Sequence, residues 1–329
     1  MRRQSIVSLY VIGAAVAALM LGAGPAGAQS PAGAATSSSS KGDVPRTPDG
    51  QPDLQGIWVN FDSTPLEAPS PEDAARLKAL AGWFPGIDAP KRTIQGPNPS
   101  PEFSDTNVKR SAPRRSIVVD PPTGRVPLLR HAEEMRAKNL ARMTDSWEYF
   151  TPWERCITRG VPGGMFPAGY NNAYRIFQTR DHVAILYEMI HEPRIIPLDG
   201  RPHVNAKIGL WNGDSRGRWE GNTLVVEVTN YRDEEVGATA TGIATTATLK
   251  GVPQTKAMRV VERFTRVDAD TLRYEATIED PGVYSGPWKV MMPLNRADDY
   301  GLFEYACHEG NYGMPNSLSG SRAEERGKR

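Results

Sequence analysis

Two strand-like runs joined by a short turn make up residues 260–279, which read VVERFTRVDADTLRYEATIE. Side chains of a β-strand point alternately to its two sides. The second run places Leu272, Tyr274, Ala276 and Ile278 on one side and only Arg, Glu and Thr residues on the other. This alternation predicts a strand with one packed face and one polar face that meets water. The alternative is that the polar face lines a wet cavity inside a barrel.

The chain after residue 174 repeats this pattern several times, with short turns between the runs. Gly221 and Asn222 separate the two halves of one hairpin, and Arg180 and Asp181 separate those of another. Strands are predicted at residues 54–59, 175–178, 182–189, 260–267, 272–279, 284–294 and 302–308 and on both sides of 221–222. A long antiparallel meander avoids exposed edges by curling or closing. We therefore predict a mainly β fold, a barrel or strongly curled sheet, with a few peripheral helices and long Pro-rich loops.

Helices are predicted only in the first half of the chain. Ser70 can cap a helix over residues 71–82, and a second helix is expected near residues 129–144. Residues 151–154, TPWE, form a capping box, which predicts a short helix that carries Cys156.

The N-terminal segment has the three parts of a secretory signal peptide. Arg2 and Arg3 precede an apolar run at residues 6–21, and Ala26-Gly27-Ala28 is a small-residue cleavage site. We expect a periplasmic or secreted protein without stable membrane insertion after cleavage; the alternative is an uncleaved anchor. The predicted organisation is a signal peptide at 1–28, a flexible linker at 29–43 and a single β-rich domain at 44–329, divided into 54–170 (first strand, helices and Pro-rich loops), 174–309 (antiparallel strands) and a 310–329 tail.

Charge and cysteine content narrow the function classes further. The chain has 39 Lys and Arg residues against 38 Asp and Glu, a net charge of +1, which argues against non-specific nucleic-acid binding and a polybasic membrane surface. In an oxidising compartment two cysteines far apart in sequence usually pair. We therefore predict a disulfide between Cys156 and Cys307, the latter on the last strand. The alternative is a catalytic thiol or a metal ligand.

Two histidines at predicted strand ends are followed directly by carboxylates. His308 precedes Glu309, and His191 precedes Glu192. A carboxylate close to an imidazole orients the ring and raises its pKa, which suits a general acid or base. The predicted catalytic set is His308, His191, Glu304, Glu188 and Glu309. The alternative is that each His-Glu step is a polar strand end that bonds to the neighbouring backbone.

Neutral hydrogen-bonding and stacking groups are densest just before the meander, in residues 170–174, YNNAY. Such groups suit a sugar or a phenolic molecule. The alternative is a loop held by bonds from Asn side chains to the backbone. The predicted substrate-binding residues are Tyr170, Asn171, Asn172, Tyr174, Tyr187 and Arg216.

A metal site is the alternative use of the histidines. His191, His203 and His308, with Glu192 or Glu309, could supply three ligands and leave one position open. No pair has the His-x-x-x-His spacing of a helical site, so we predict no metal and no other cofactor.

Five blocks of the sequence resemble a large, mostly uncharacterised family of secreted proteins from environmental bacteria. They are RTPDGQPDLQGIW at 46–58, ERC at 154–156, IIPLDG at 195–200, GDSRGRWEG at 213–221 and EYACHEGNY at 304–312. The resemblance covers almost the whole mature chain and implies a periplasmic location with both cysteines in family positions, but no reaction. Separately, Gly56-Ile57-Trp58 is similar to the Gly-x-Trp of the first lipocalin strand, which implies a lipocalin- or calycin-like barrel.

Two functions remain open from the sequence. The first is an exported, cofactor-independent enzyme of the lyase, isomerase or hydrolase type that uses His/carboxylate acid–base chemistry on a small polar, sugar-like or aromatic molecule. The alternative is a non-catalytic, lipocalin-like periplasmic binding protein. The enzyme requires polar groups clustered around His191 and His308 in one cavity, whereas the binding protein requires an apolar cavity with both histidines outside it.

Overall fold

The computed structural model describes residues 44–60, 64–71, 114–142, 144–167, 171–232 and 252–327. The predicted signal peptide (1–28), the linker (29–43) and nearly all of the predicted helix at 71–82 lie outside this part of the chain.

The described residues form ten strands and two α-helices. In chain order these are β1 (Gly56–Val59), β2 (Val118–Asp120), α1 (Arg130–Ala141), β3 (Ala173–Gln178), β4 (His182–Tyr187), β5 (Pro193–Pro197), β6 (Asp214–Glu220), β7 (Thr223–Thr229), β8 (Arg259–Arg266), β9 (Thr271–Glu279), β10 (Trp288–Arg296) and α2 (Gly313–Gly327). No helix in the described ranges is long and apolar enough to cross a membrane.

The ten strands make one antiparallel sheet. Its order is β5-β4-β3-β1-β10-β9-β8-β7-β6, with β2 paired to part of β10. Most neighbours in the sheet are also neighbours in sequence, as the turn signals predict. The exception is β1, which pairs with both β3 and β10 and so joins the two halves of the meander.

The two outer strands, β5 and β6, approach each other and nearly close the sheet into a barrel. A Cβ atom added to Gly217 on β6 would lie 2.8 Å from Ile196 Cγ2 and 2.6 Å from Leu198 Cδ2. In the same gap, Arg194 Nε on β5 donates a hydrogen bond to Ser215 Oγ on β6 at 3.0 Å. The predicted mainly β, barrel-like fold is therefore confirmed.

Alternation along β9 shows which face is the interior. Leu272, Tyr274, Ala276 and Ile278 are at most 1% exposed and belong to the main core, whereas Arg273 faces water. Burying a side chain such as leucine or isoleucine contributes about 1.5–3 kcal/mol. The interpretation of the polar face as water-facing is confirmed for this strand.

The barrel has two different ends. The hairpin end carries the turns at 179–181, 221–222 and 267–270. Residues 158–167 lie across the opposite end, which we call the covered end. There the Met165 carbonyl accepts hydrogen bonds from Asn60 Nδ2 and from the Tyr174 hydroxyl, both at 3.1 Å.

The predicted last strand at residues 302–308 is wrong, because this segment forms irregular structure and turns. Its sequence alternates, but β1, β2 and β9 already pair with β10, and β5 and β6 face each other. Cys307 therefore lies in a turn, not on a strand.

The capping box at residues 151–154 forms without the predicted helix. Thr151 N donates to Glu154 Oε2 at 2.7 Å, and Glu154 N donates to Thr151 Oγ1 at 3.3 Å. Residues 152–156 form only hydrogen-bonded turns. Cys156 has a φ of 56°, a left-handed conformation that is incompatible with continuing an α-helix.

The predicted tail at 310–329 contains α2, which has no buried residues. It is held to the loop after α1 by a hydrogen bond between the hydroxyls of Thr144 and Ser321 and by hydrogen bonds from Arg322 to the carbonyls of Thr144 and Asp145. The other predicted helix, near residues 129–144, corresponds to α1.

Candidate functional site

Five polar side chains meet inside the barrel wall, and we call them the interior cluster. They are Tyr187 on β4, Arg194 on β5, Glu262 on β8, Tyr274 on β9 and Tyr231, just after β7. Each is at most 6% exposed. Electrostatic interactions link all three phenols to Arg194 and Glu262, so the five side chains form one group.

An ion pair forms the centre of this cluster. Arg194 donates to both oxygens of Glu262, with Nη1 at 3.0 Å from Oε1 and Nη2 in close contact with Oε2. The Tyr274 hydroxyl donates to Glu262 Oε1 at 2.8 Å. Burial is the largest single influence and lowers the pKa of Arg194, but the charge and hydrogen bonds of Glu262, together with Tyr187, raise it more in total, so the guanidinium stays protonated. An ion pair removed from water in this way is stable only while both partners are present.

Two phenols beside the ion pair have no hydrogen-bond partner within the described ranges. These are the hydroxyls of Tyr187 and Tyr231, both inaccessible to solvent. The Arg194 guanidinium points at the Tyr187 oxygen closely enough to lower the pKa of this phenol, but the geometry is too poor for a full hydrogen bond, and arginine offers no acceptor for the O–H itself. Burial raises the pKa of both phenols, so both are protonated at neutral pH and can donate hydrogen bonds.

A second polar group lies on the outer side of the barrel wall. His203 Nδ1 is 2.9 Å from Asp214 Oδ2, and Arg216 Nη1 donates to Asp214 Oδ1 at 2.7 Å. Arg216, predicted to bind substrate, also donates through Nε to the Pro202 carbonyl at 3.0 Å. The His203 side chain is 25% exposed and that of Asp214 only 9%. The group fastens the loop before β6 to the wall and orients one accessible imidazole.

Glu188, predicted to be catalytic, is buried, and its hydrogen bonds join two segments that are distant in sequence. Its carboxylate accepts hydrogen bonds from the Tyr300 hydroxyl and the backbone N–H of Phe303, both at 3.0 Å, and from Ala173 N at 3.2 Å. Burial raises the pKa of Glu188, although these bonds oppose the shift. The carboxylate therefore has a structural role at the covered end of the barrel, where it links the segment after β10 to the start of β3.

Three of the other predicted catalytic residues lie outside the barrel interior. His308, Glu304 and Glu309 are all exposed on the turn segment after residue 300. The backbone of His191 lies in a 3-10 turn, and its side chain is outside the described part of the structure. The two segments are neighbours, because Tyr305 packs against Met189 and Ile190. Strand alternation was a poor basis for placing His308, since residues 302–308 are not a strand.

The predicted substrate-binding residues near the covered end are mostly buried. The Tyr174 hydroxyl donates a hydrogen bond to the Met165 carbonyl, and Asn172 is 1% exposed. Asn171 has a left-handed φ of 51° and interacts with the Glu188 carboxylate. Tyr170 lies outside the described residues. Of the predicted set, only Tyr187 belongs to the interior cluster.

The predicted disulfide between Cys156 and Cys307 is confirmed, and it links residues 151 positions apart. The part of the chain that the structure describes contains no group of three His, Cys, Asp or Glu side chains that could hold a metal ion. His203 is bonded to Asp214, and His308 is exposed on the turn after Cys307.

Sequence reasoning missed most of the interior cluster, although one signal was present. Glu262 points to the same side of β8 as Val260 and Phe264, so it is a charged residue on an apolar face. Arg194 has the same relation to Ile196 on β5. Two opposite charges at such positions on different strands indicate a buried pair.

Searches against protein-family models, curated proteins and solved structures found no match to this chain.

Proposed function

We propose that this protein is an exported, periplasmic or secreted, small-molecule-binding protein that holds its ligand inside the barrel. The observation that carries the proposal is the pair of buried, unpartnered hydroxyls on Tyr187 and Tyr231 beside the Arg194–Glu262 ion pair. Buried polar groups in proteins almost always have hydrogen-bond partners, so two exceptions in one place call for an additional partner.

The position inside a barrel supports the same proposal. Barrels of about eight strands can already hold one small ligand, and ligand sites combine apolar walls with a few polar groups that fix orientation. The inward neighbours of the polar residues are apolar: Ile185 lies two residues before Tyr187, Ile196 two after Arg194, and Val226 pairs with Glu262. Export fits the disulfide, which is typical of oxidising compartments.

The binding test uses three probes that share one benzene ring: acetophenone, benzoate and ethylbenzene. Binding to the mature, disulfide-bonded protein is measured by ligand-observed NMR, and we expect at least one probe to bind. Ala276 points inward directly opposite Glu262 on the neighbouring strand, so Ala276→Leu should fill the site and abolish binding. Thr277→Leu places the same side chain on the outer face of β9 and should leave binding unchanged. The proposal fails if no probe binds, or if Ala276→Leu binds as well as Thr277→Leu.

An acid–base enzyme remains a second candidate, favoured by the contact between His203 and Asp214. A buried carboxylate on Nδ1 fixes the tautomer and leaves Nε2 to exchange a proton, which is the arrangement used in general acid–base catalysis. This candidate places the acid–base group at His203, whereas the sequence predicts it at His308 and His191.

The enzyme candidate requires an accessible Nε2 on His203. Carbethoxylation by diethylpyrocarbonate, located by mass spectrometry, should modify His203 faster than His131, whose Nε2 is 2.9 Å from the Gly282 carbonyl. An unmodified His203 would exclude it as an acid–base group.

A further inference from the structure

We infer that the ligand of the interior cluster is an electrically neutral molecule with an apolar body and a hydrogen-bond-accepting oxygen, such as a ketone, amide or ester. The inference rests on the proposed function, because it specifies the chemistry of the same site. It assigns Tyr187 and Tyr231 as the residues that recognise this oxygen.

The charge balance of the cluster favours a neutral ligand. Arg194 and Glu262 form a bidentate pair, and each neutralises the other. The remaining nitrogen of Arg194, Nε, donates a hydrogen bond to the Ser215 hydroxyl. Glu262 also accepts a hydrogen bond from the Tyr274 hydroxyl. A ligand anion would add a buried charge next to Glu262, and a ligand cation would add one next to Arg194. Either unbalanced charge is costly to bury.

The two free phenols define the polar group that the ligand must offer. Both are protonated because burial raises their pKa, and both lack a partner within the described ranges. A carbonyl oxygen has two lone pairs and can accept from one or both hydroxyls without carrying charge. A ligand with no acceptor would leave the hydroxyls unpaired, which costs free energy in an apolar interior.

The surrounding rings and aliphatic side chains favour a ligand with an apolar body. The ring of Tyr187 packs edge-to-face against Tyr174 with centroids 5.8 Å apart, and the ring of Tyr274 packs against Phe264 at 5.0 Å. The walls around the two hydroxyls are therefore aromatic and aliphatic, as in ligand sites where a few polar groups set the orientation of an apolar molecule.

The test compares the affinities of the same three probes, measured by NMR titration at pH 7. Acetophenone has a neutral acceptor, benzoate carries a charge, and ethylbenzene has no acceptor. We expect acetophenone to bind at least about tenfold more tightly than either other probe, the scale of one net hydrogen bond. Tyr187→Phe and Tyr231→Phe should each reduce acetophenone affinity by about tenfold and leave ethylbenzene affinity unchanged. Tyr312→Phe is the matched control, because Tyr312 is 70% exposed.

The outcomes separate this inference from the proposed function. Preferential binding of benzoate or ethylbenzene, blocked by Ala276→Leu, would overturn the neutral-acceptor ligand but keep a binding site in the barrel. Equal acetophenone binding by both Tyr→Phe variants and the parent protein would overturn the role of the two hydroxyls. If no probe binds in a manner sensitive to Ala276→Leu, the proposed function itself is wrong. Should a Tyr→Phe variant fail to fold, the order of the three affinities in the parent protein still decides the question.

Discussion

Two buried arginines in different parts of the barrel have different environments. Arg266, at the hairpin end, lies 4.6 Å above the Trp58 ring, and its three nitrogens donate to the main-chain carbonyls of Asp53, Asp268 and Ala269. Burial and the nearby Arg296 lower the pKa of Arg266 to about 10, so it remains charged at neutral pH. Arg194 instead bonds to a carboxylate and a serine hydroxyl.

This comparison shows that a buried charge alone does not mark a ligand site. At the hairpin end, the turn at 267–270 and the segment before β1 supply the carbonyls that satisfy Arg266, so this residue is part of the scaffold that closes the barrel. In the interior cluster, the ion pair is also satisfied, but two neighbouring hydroxyls are not. Two adjacent hydroxyls without a described partner, next to a satisfied ion pair, are what distinguish the interior cluster from the surroundings of Arg266.

The largest expected effect is that of Glu262→Leu, which removes the partner of Arg194 and leaves a buried charge. We expect a loss of about 3–5 kcal/mol in the free energy of unfolding, measured by urea denaturation with the disulfide intact. The double variant Arg194→Met/Glu262→Leu should recover most of this loss, because no charge is then buried. A double variant as unstable as Glu262→Leu would contradict the electrostatic explanation.

Arg266→Met should have the next largest effect on stability. It removes three hydrogen bonds and leaves carbonyls at the hairpin end without donors, so we expect a loss of about 2–3 kcal/mol by the same measurement. Because this region is scaffold, probe binding should remain at the parent level. Weaker acetophenone binding in a folded Arg266→Met variant would show that the two regions are not independent.

Tyr274→Phe should destabilise the protein by about 1.5 kcal/mol, the usual value for a hydrogen bond to a charged group. The hydroxyl of Tyr274 is one of the groups that satisfy Glu262. Thermal unfolding followed by circular dichroism measures the effect. An unchanged midpoint would mean that Glu262 does not depend on this bond.

The smallest expected effect on stability is that of Tyr187→Phe and Tyr231→Phe. Each removes a buried hydroxyl that has no described partner, so the free energy of unfolding should change by less than about 0.5 kcal/mol or increase slightly. A loss as large as that of Tyr274→Phe would reveal a structural bond to these hydroxyls and weaken the case for a ligand.

The meander was predictable because its information is local. Gly221-Asn222 and residues 268–270 specify turns, and the alternation beside them specifies which face is buried. The position of β1 between β3 and β10 was not predictable, since it depends on contacts between residues far apart in sequence. The same contacts explain why residues 302–308 alternate without forming a strand.

The candidate site was less predictable than the fold. A histidine followed by a glutamate is compatible with an exposed turn, and only the structure places His308 there. The alternation along β8 and β5 could have indicated that Glu262 and Arg194 are buried charges, but their pairing depends on how the barrel closes. The disulfide was predictable, because the chain has only two cysteines and residues 1–28 have the sequence pattern of a signal peptide, which predicts an oxidising compartment.

The gap between β5 and β6 has a consequence for the motions of the barrel. Among the described residues, these two strands share no main-chain pairing and meet through side chains such as Ile196, Leu198 and the bond from Arg194 to Ser215. Every other boundary between adjacent strands of the barrel is a hydrogen-bonded ladder. Separating β5 from β6 therefore breaks the fewest main-chain bonds, and the interior cluster lies directly behind this boundary. Among the described strands, the β5–β6 boundary is therefore the one at which the barrel opens most easily, and it lies beside the residues that would hold a ligand.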